Sequence, residues 1–94
     1  MHDFKYKRNY LYCENIRVVD LARRFGTPLY VYSYKTFTDH FLKLKTAFEE
    51  IRPLICYSVK ANSNLAILKA LVEKGAGLDV VSGGELFRAK KAGC

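Results

Sequence analysis

Apolar side chains fall into short runs near the two ends of the chain and into a helical repeat in the middle. Tyr34, Phe37, Phe41, Leu44 and Phe48 recur at spacings of 3, 4, 3 and 4. That period places all five on one stripe of a helix beginning after Ser33 and ending at Pro53, with the stripe expected in a core. Ser33 is the type of residue that caps such a helix by accepting a backbone N–H bond. Leu54 to Val59 (LICYSV) is almost continuously apolar, the pattern of a strand covered on both faces in a parallel sheet. A helix follows from about Asn64 to Lys74, capped by Asn62 or Ser63, carrying Leu65, Leu68 and Val72 on one face and ending at Gly75. Leu78 to Ser82 (LDVVS) reads as a second buried strand, and Gly84 to Lys91 as a second helix that closes at Gly93. Strand, helix, strand, helix with short joins predicts right-handed βαβ units and a parallel sheet.

Upstream the pattern is less regular. Tyr10 to Cys13 reads as a detached aromatic strand, Glu14-Asn15 as a turn, and Val19 to Phe25 as a short helix stopped by a left-handed cap at Gly26. Leu29 to Tyr32 has strand composition. Two parallel strands cannot close a barrel, and a (β/α)8 barrel takes about 250 residues. With 94 residues, the chain is expected to be the front of a larger α/β enzyme. Residues 1–33 would be an N-terminal strand and lead-in, and residues 34–94 the first βα units of the barrel. Alone, such a piece is expected to aggregate or stay partly molten, because its sheet edges and faces lack cover.

Composition narrows the functional classes. The net charge of +7 would suit a phosphate-rich partner, but basic residues are spread along the chain in runs no longer than two, so nucleic acid is not the expected partner. Cys13, Cys56 and Cys94 lie far apart, without a C-x-x-C pair or a neighbouring histidine; free thiols in a reducing compartment are expected, and no metal site. The charged and aromatic N-terminus lacks the apolar run of a signal peptide, and no later segment approaches a membrane span. A soluble cytoplasmic protein is the expectation.

Lys60 stands where chemistry is most easily placed, directly after LICYSV at the C-terminal end of a parallel strand. On position alone a lysine there more often just reaches water. At the mouth of an apolar barrel, however, desolvation disfavours the ammonium form and frees an amine that attacks carbonyls. Strand alternation would turn Cys56, Ser58 and Lys60 to the barrel interior and Tyr57 and Val59 to the surrounding helices. Asp79, an acid inside LDVVS, would either pair with a cation, Lys60 being the natural one, or be solvated at the rim. Ser82-Gly83-Gly84-Glu85 opens a helix; its N–H groups suit an anion, although such glycines more often serve a tight turn and Glu85 the helix dipole. His2 and His40 receive no role.

The runs Cys56-Tyr57-Ser58-Val59-Lys60-Ala61-Asn62-Ser63-Asn64 and Gly75-Ala76-Gly77-Leu78-Asp79-Val80-Val81-Ser82-Gly83-Gly84-Glu85-Leu86 closely resemble the cofactor-binding region of the diaminopimelate decarboxylases. Gly26-Thr27-Pro28-Leu29-Tyr30-Val31-Tyr32-Ser33 is similar to that family's entry into its barrel, and the likeness runs from about Phe4 to Gly93. The resemblance implies an alanine-racemase-like barrel with an added β domain and pyridoxal phosphate as cofactor, held on Lys60 through a Schiff base. Asp79 and Glu85 match acidic positions near the lysine and cofactor, and Ser58 a small residue beside the cofactor. The implied reaction is decarboxylation of meso-2,6-diaminopimelate to L-lysine in lysine biosynthesis, by an enzyme that works as a homodimer. The family's phosphate-binding loop, pyridine-nitrogen partner and substrate clamp are expected beyond residue 94. Arginine, ornithine and carboxynorspermidine decarboxylases, amino-acid racemases and a non-catalytic relative that binds the cofactor are the alternatives on the same fold.

Overall fold

The computed structural model describes residues 2–94, which divide into two compact units within one long helix, after Asp39.

The first unit is built on a three-stranded antiparallel sheet in the order β1-β2-β3: β1 Phe4–Lys7, β2 Tyr10–Cys13 and β3 Ile16–Arg17. The aromatic strand Tyr10–Cys13 is therefore not detached but central. Its neighbours escape a reading of the sequence because their turns lack glycine: Arg8 and Asn9, at φ 53° and 70°, form the two-residue connection of the first hairpin, and Glu14, at φ 56°, the second. Helix α1, Val18–Phe25, follows at once. Gly26 stops it with a positive φ of 81°, but its ψ of 176° is extended and not that of a left-handed cap; its N–H donates to the Ala22 carbonyl. Residues 29–32 form no strand, since no strand among the described residues lies beside them to complete a ladder.

Helix α2, Tyr34–Ala47, starts as expected. The Ser33 hydroxyl accepts the Thr36 N–H at 3.1 Å while donating to Glu14 Oε2 at 2.8 Å. Asp3 and Thr36 exchange two further bonds of 2.9 and 2.8 Å, so the β1 end and the β2–β3 turn are both tied to the first turn of this helix. The aromatic stripe does not form a core here. Tyr34, Leu44 and Phe48 are about half exposed, Phe37 and Phe41 are partly covered, and Thr38 is the buried residue of the helix. Periodicity marks the face a helix offers but not whether a partner for that face lies in the same stretch of chain.

The second unit pairs β4, Cys56–Ser58, with β5, Gly77–Asp79, in parallel. Helix α3, Leu65–Glu73, connects them, and α4, Gly83–Lys91, follows β5. Both strands are shorter than their apolar runs. Leu54 and Val81 are largely exposed, and Cys56 is exposed instead of covered on both faces. Gly77 lets the two strands approach: a Cβ there would lie 2.8 Å from Cys56 Sγ on the paired strand, which would have to turn away. Val59, Leu68 and Ala92 make the buried cluster, with Tyr57, Leu78 and Val80 packed on it. On α3 the buried residues are Leu68, Ala70 and Leu71, while Leu65 is 42% exposed; the buried face is thus rotated from the Leu65–Leu68–Val72 face expected.

Cys13 is buried, and burial first, then the carboxylates of Glu14 and Asp3, push its thiol above the ordinary cysteine range. The thiolate is the reactive form, so a raised pKa moves the onset of reaction to higher pH. Iodoacetamide at neutral pH should leave Cys13 unlabelled in the folded protein, with labelling appearing on unfolding in urea, as peptide mapping would show.

Candidate active site at the ends of the parallel strands

The strand pairing sets the site. In the β4–β5 register Ser58 stands opposite Asp79, and the Ser58 hydroxyl donates to Asp79 Oδ2 at 3.2 Å. Asp79 is exposed and makes no ion pair with Lys60; Arg17–Asp20 and Lys35–Asp39 form ion pairs elsewhere, both on the surface. Of the two expectations for Asp79, solvation at the rim holds, with a serine partner that spacing alone did not suggest.

Lys60 does not continue the strand. Val59–Ala61 is a single 3-10 turn, because Val59 is drawn fully into the cluster with Leu68 and Ala92 and the chain must then leave the sheet. Alternation therefore holds only as far as Val59: Tyr57 and Val59 pack on the helical side as expected, while the turn decides where Lys60 goes. Lys60 is exposed, without the apolar wall that would desolvate its amine, and no ion pair or hydrogen bond engages its ammonium among the described residues.

Local bonds account for the backbone after Lys60. The Tyr57 hydroxyl donates to the Asn62 carbonyl at 2.9 Å. Asn62 Oδ1 accepts the Asn64 N–H, and Asn64 Oδ1 in turn accepts the Ala66 N–H, both at 2.9 Å. Asn64 is thus the cap of α3, in place of the expected Asn62 or Ser63, because the 3-10 turn consumes more chain before the helix starts. From α4, the Arg88 guanidinium donates to the Ser63 carbonyl at 3.3 Å. Neither Tyr57 nor Arg88 stood out in the sequence; a phenolic hydroxyl inside a mostly apolar strand was the one available signal for Tyr57.

Ser82 and Glu85 form a reciprocal cap on α4. Ser82 Oγ accepts the Glu85 N–H at 3.1 Å, and Glu85 Oε1 accepts the Val81 N–H at 2.9 Å. This is close to the capping box that a serine and a glutamate three residues apart produce. One carboxylate oxygen of Glu85 is committed to that cap.

The chemistry of this donor set suits a cofactor with a carbonyl carbon. A primary amine on a short turn, a hydroxyl and a carboxylate stand at the C-terminal ends of two adjacent parallel strands, where α/β enzymes gather their reacting groups. Its architecture is that of the N-terminal part of a pyridoxal-phosphate-binding α/β barrel. Residues 34–94 match the model of the pyridoxal-dependent decarboxylases, pyridoxal binding domain, and the chain belongs to that family. It is 53% identical over 83 residues to diaminopimelate decarboxylase of Neisseria meningitidis serogroup A, covering 88% of this chain and 20% of the relative. To diaminopimelate decarboxylase of Haemophilus influenzae it is 46% identical, with 99% and 22% covered. A crystal structure of diaminopimelate decarboxylase from M. jannaschii in co-complex with L-lysine superposes with a TM-score of 0.90 at 35% identity, over 99% of this chain and 24% of that one. The chain spans about a fifth of the length of the curated relatives it matches.

Removing the α3 cap should loosen the segment that follows Lys60. Asn64→Ala is expected to cost about 1 kcal/mol, read as a lower denaturation midpoint, and Asn64→Asp to restore most of it.

Proposed function

We propose that this chain supplies the cofactor-binding lysine and neighbouring rim residues of a diaminopimelate decarboxylase, which converts meso-2,6-diaminopimelate to L-lysine and carbon dioxide in the cytoplasm as a homodimer. The observation that carries the reading is Lys60 at the end of β4 inside the region that matches the family's pyridoxal-binding domain. The identity to two curated diaminopimelate decarboxylases supports the choice of substrate over arginine, ornithine or a racemase substrate. Among the described residues no helix is long and apolar enough to cross a membrane. In this reading residues 1–33 are the lead-in and residues 34–94 the first barrel units, with no role for nucleic acid or membrane.

When bound, pyridoxal phosphate supplies the electron sink that lets a carboxylate leave as carbon dioxide. Lys60 would hold the cofactor through its amine. With substrate in the site, the Lys60 amine would be the group placed to carry a proton to or from the reacting carbon. Asp79, held by Ser58, would set an acid on the rim near the cofactor, and Glu85 would add a second at the start of α4. Ser58, being small, leaves room beside that rim.

Borohydride reduction of the pyridoxal-phosphate-loaded protein, followed by peptide mapping, should place the phosphopyridoxyl label on Lys60; a label confined to another lysine would sink the assignment. Lys60→Ala and Lys60→Arg should both lose decarboxylation of meso-2,6-diaminopimelate, since a guanidinium keeps its charge and does not replace the amine. A panel with arginine and ornithine tests the substrate.

Asp79→Asn keeps the shape of the side chain and removes its charge. The pH at which the bound cofactor's absorption titrates is expected to shift, with the melting temperature unchanged; an unmoved titration would leave Asp79 without an electrostatic role.

A further inference from the structure

The Lys60 turn is closed by a hydrogen bond that passes over it. Tyr57 lies three residues before Lys60 and Asn62 two residues after it, and the 2.9 Å bond from the Tyr57 hydroxyl to the Asn62 carbonyl joins the two sides. Tyr57 packs against the cluster of Val59, Leu68 and Ala92, so the hydroxyl that reaches Asn62 is carried by a side chain set against buried neighbours. On the near side of the turn Val59 is 0% exposed and holds the backbone from below. Asn62 itself is extended, at φ −165° and ψ 117°, and its side chain is turned forward to the Asn64 N–H, so its carbonyl is the group left for Tyr57. Lys60, with Ala61, is thus exposed on a short segment anchored at both ends.

The geometry points to Tyr57 as a positioning residue for Lys60: its hydroxyl staples the turn across residues 57 and 62 and so limits the directions the Lys60 amine can take. This rests on the reading that Lys60 holds the cofactor. A flexible lysine on an unanchored turn spends part of its time out of reach of a carbonyl, and fixing the backbone beneath it raises the fraction of reactive geometries. The bond belongs to the core side of the strand and touches no reacting atom, so its effect passes through the backbone of residues 59–61.

Tyr57→Phe tests this, because it keeps the ring in the cluster and removes one oxygen. The loaded protein is trapped with borohydride and the label quantified by peptide mapping, with surface labelling of exposed Lys69 on α3 as an internal control. Trapping at Lys60 is expected to slow about three- to tenfold, the loss of one neutral hydrogen bond, with Lys69 labelling unchanged and the melting temperature lowered by no more than a few degrees. Unchanged trapping at Lys60 would overturn the proposal. So would equal changes at Lys60 and Lys69 with a lower melting temperature, which would make the bond a general support of the fold. A label absent from Lys60 in the parent protein would instead remove the reading on which the proposal rests, and the proposal with it.

Discussion

The register of one short parallel pair governs everything near Lys60. Cys56 stands against Gly77, Tyr57 against Leu78 and Ser58 against Asp79. A slip by one residue would turn every side chain to the other face of the sheet. Ser58 would lose Asp79, and Tyr57 and Val59 would lose the helices they pack against. Two contacts hold the register: Gly77 leaves space that a side chain would deny to Cys56, and Val59 and Leu78 converge on Leu68 and Ala92. The rim chemistry therefore depends on a packing decision made on the opposite face of the strands.

That packing is economical. Val59 and Leu68 are the large side chains fully removed from water, while Leu54, Phe48, Val81 and Phe87 are half exposed or more. Full burial of one such aliphatic side chain stabilises a fold by roughly 1.5–3 kcal/mol, so a cluster of this size holds a turn and a strand end in place without filling a large core. Polar bonds complete the arrangement. Tyr57, Asn62, Asn64 and Arg88 satisfy the backbone between β4 and α3, where neither helix nor sheet can. The first unit uses the same device: Asp3, Glu14, Ser33 and Thr36 join a small antiparallel sheet to the start of α2.

Much of this was legible in the amino-acid order. The parallel β4–β5 pair with its two following helices, the strand Tyr10–Cys13, the start of α2 at Ser33 and the position of Lys60 just past the end of a strand all follow from apolar runs, caps and glycines. These are local signals, written within a few residues of what they specify. The site motifs around Lys60 and Asp79 were legible for the same reason, as two contiguous runs that resemble those of the decarboxylases. Helix periodicity was less dependable: the aromatic stripe of α2 is regular, yet it is not buried within these residues.

Tertiary structure alone decided the rest. Which acid meets which partner depends on strand register, and register placed Ser58, not Lys60, against Asp79. Where the strand stops depends on Val59 entering the cluster, which turned Lys60 out onto a 3-10 turn and moved the α3 cap to Asn64. The three-stranded sheet needed hairpin turns at Arg8, Asn9 and Glu14 that carry no glycine to announce them. The sequence by itself determined the order of strands and helices in the second unit and the candidate residues for chemistry, because both are local properties of the chain. Pairings across strands and exits from them are settled by contacts between residues some twenty positions apart, as Ser58 and Asp79 are, and no local pattern encodes those.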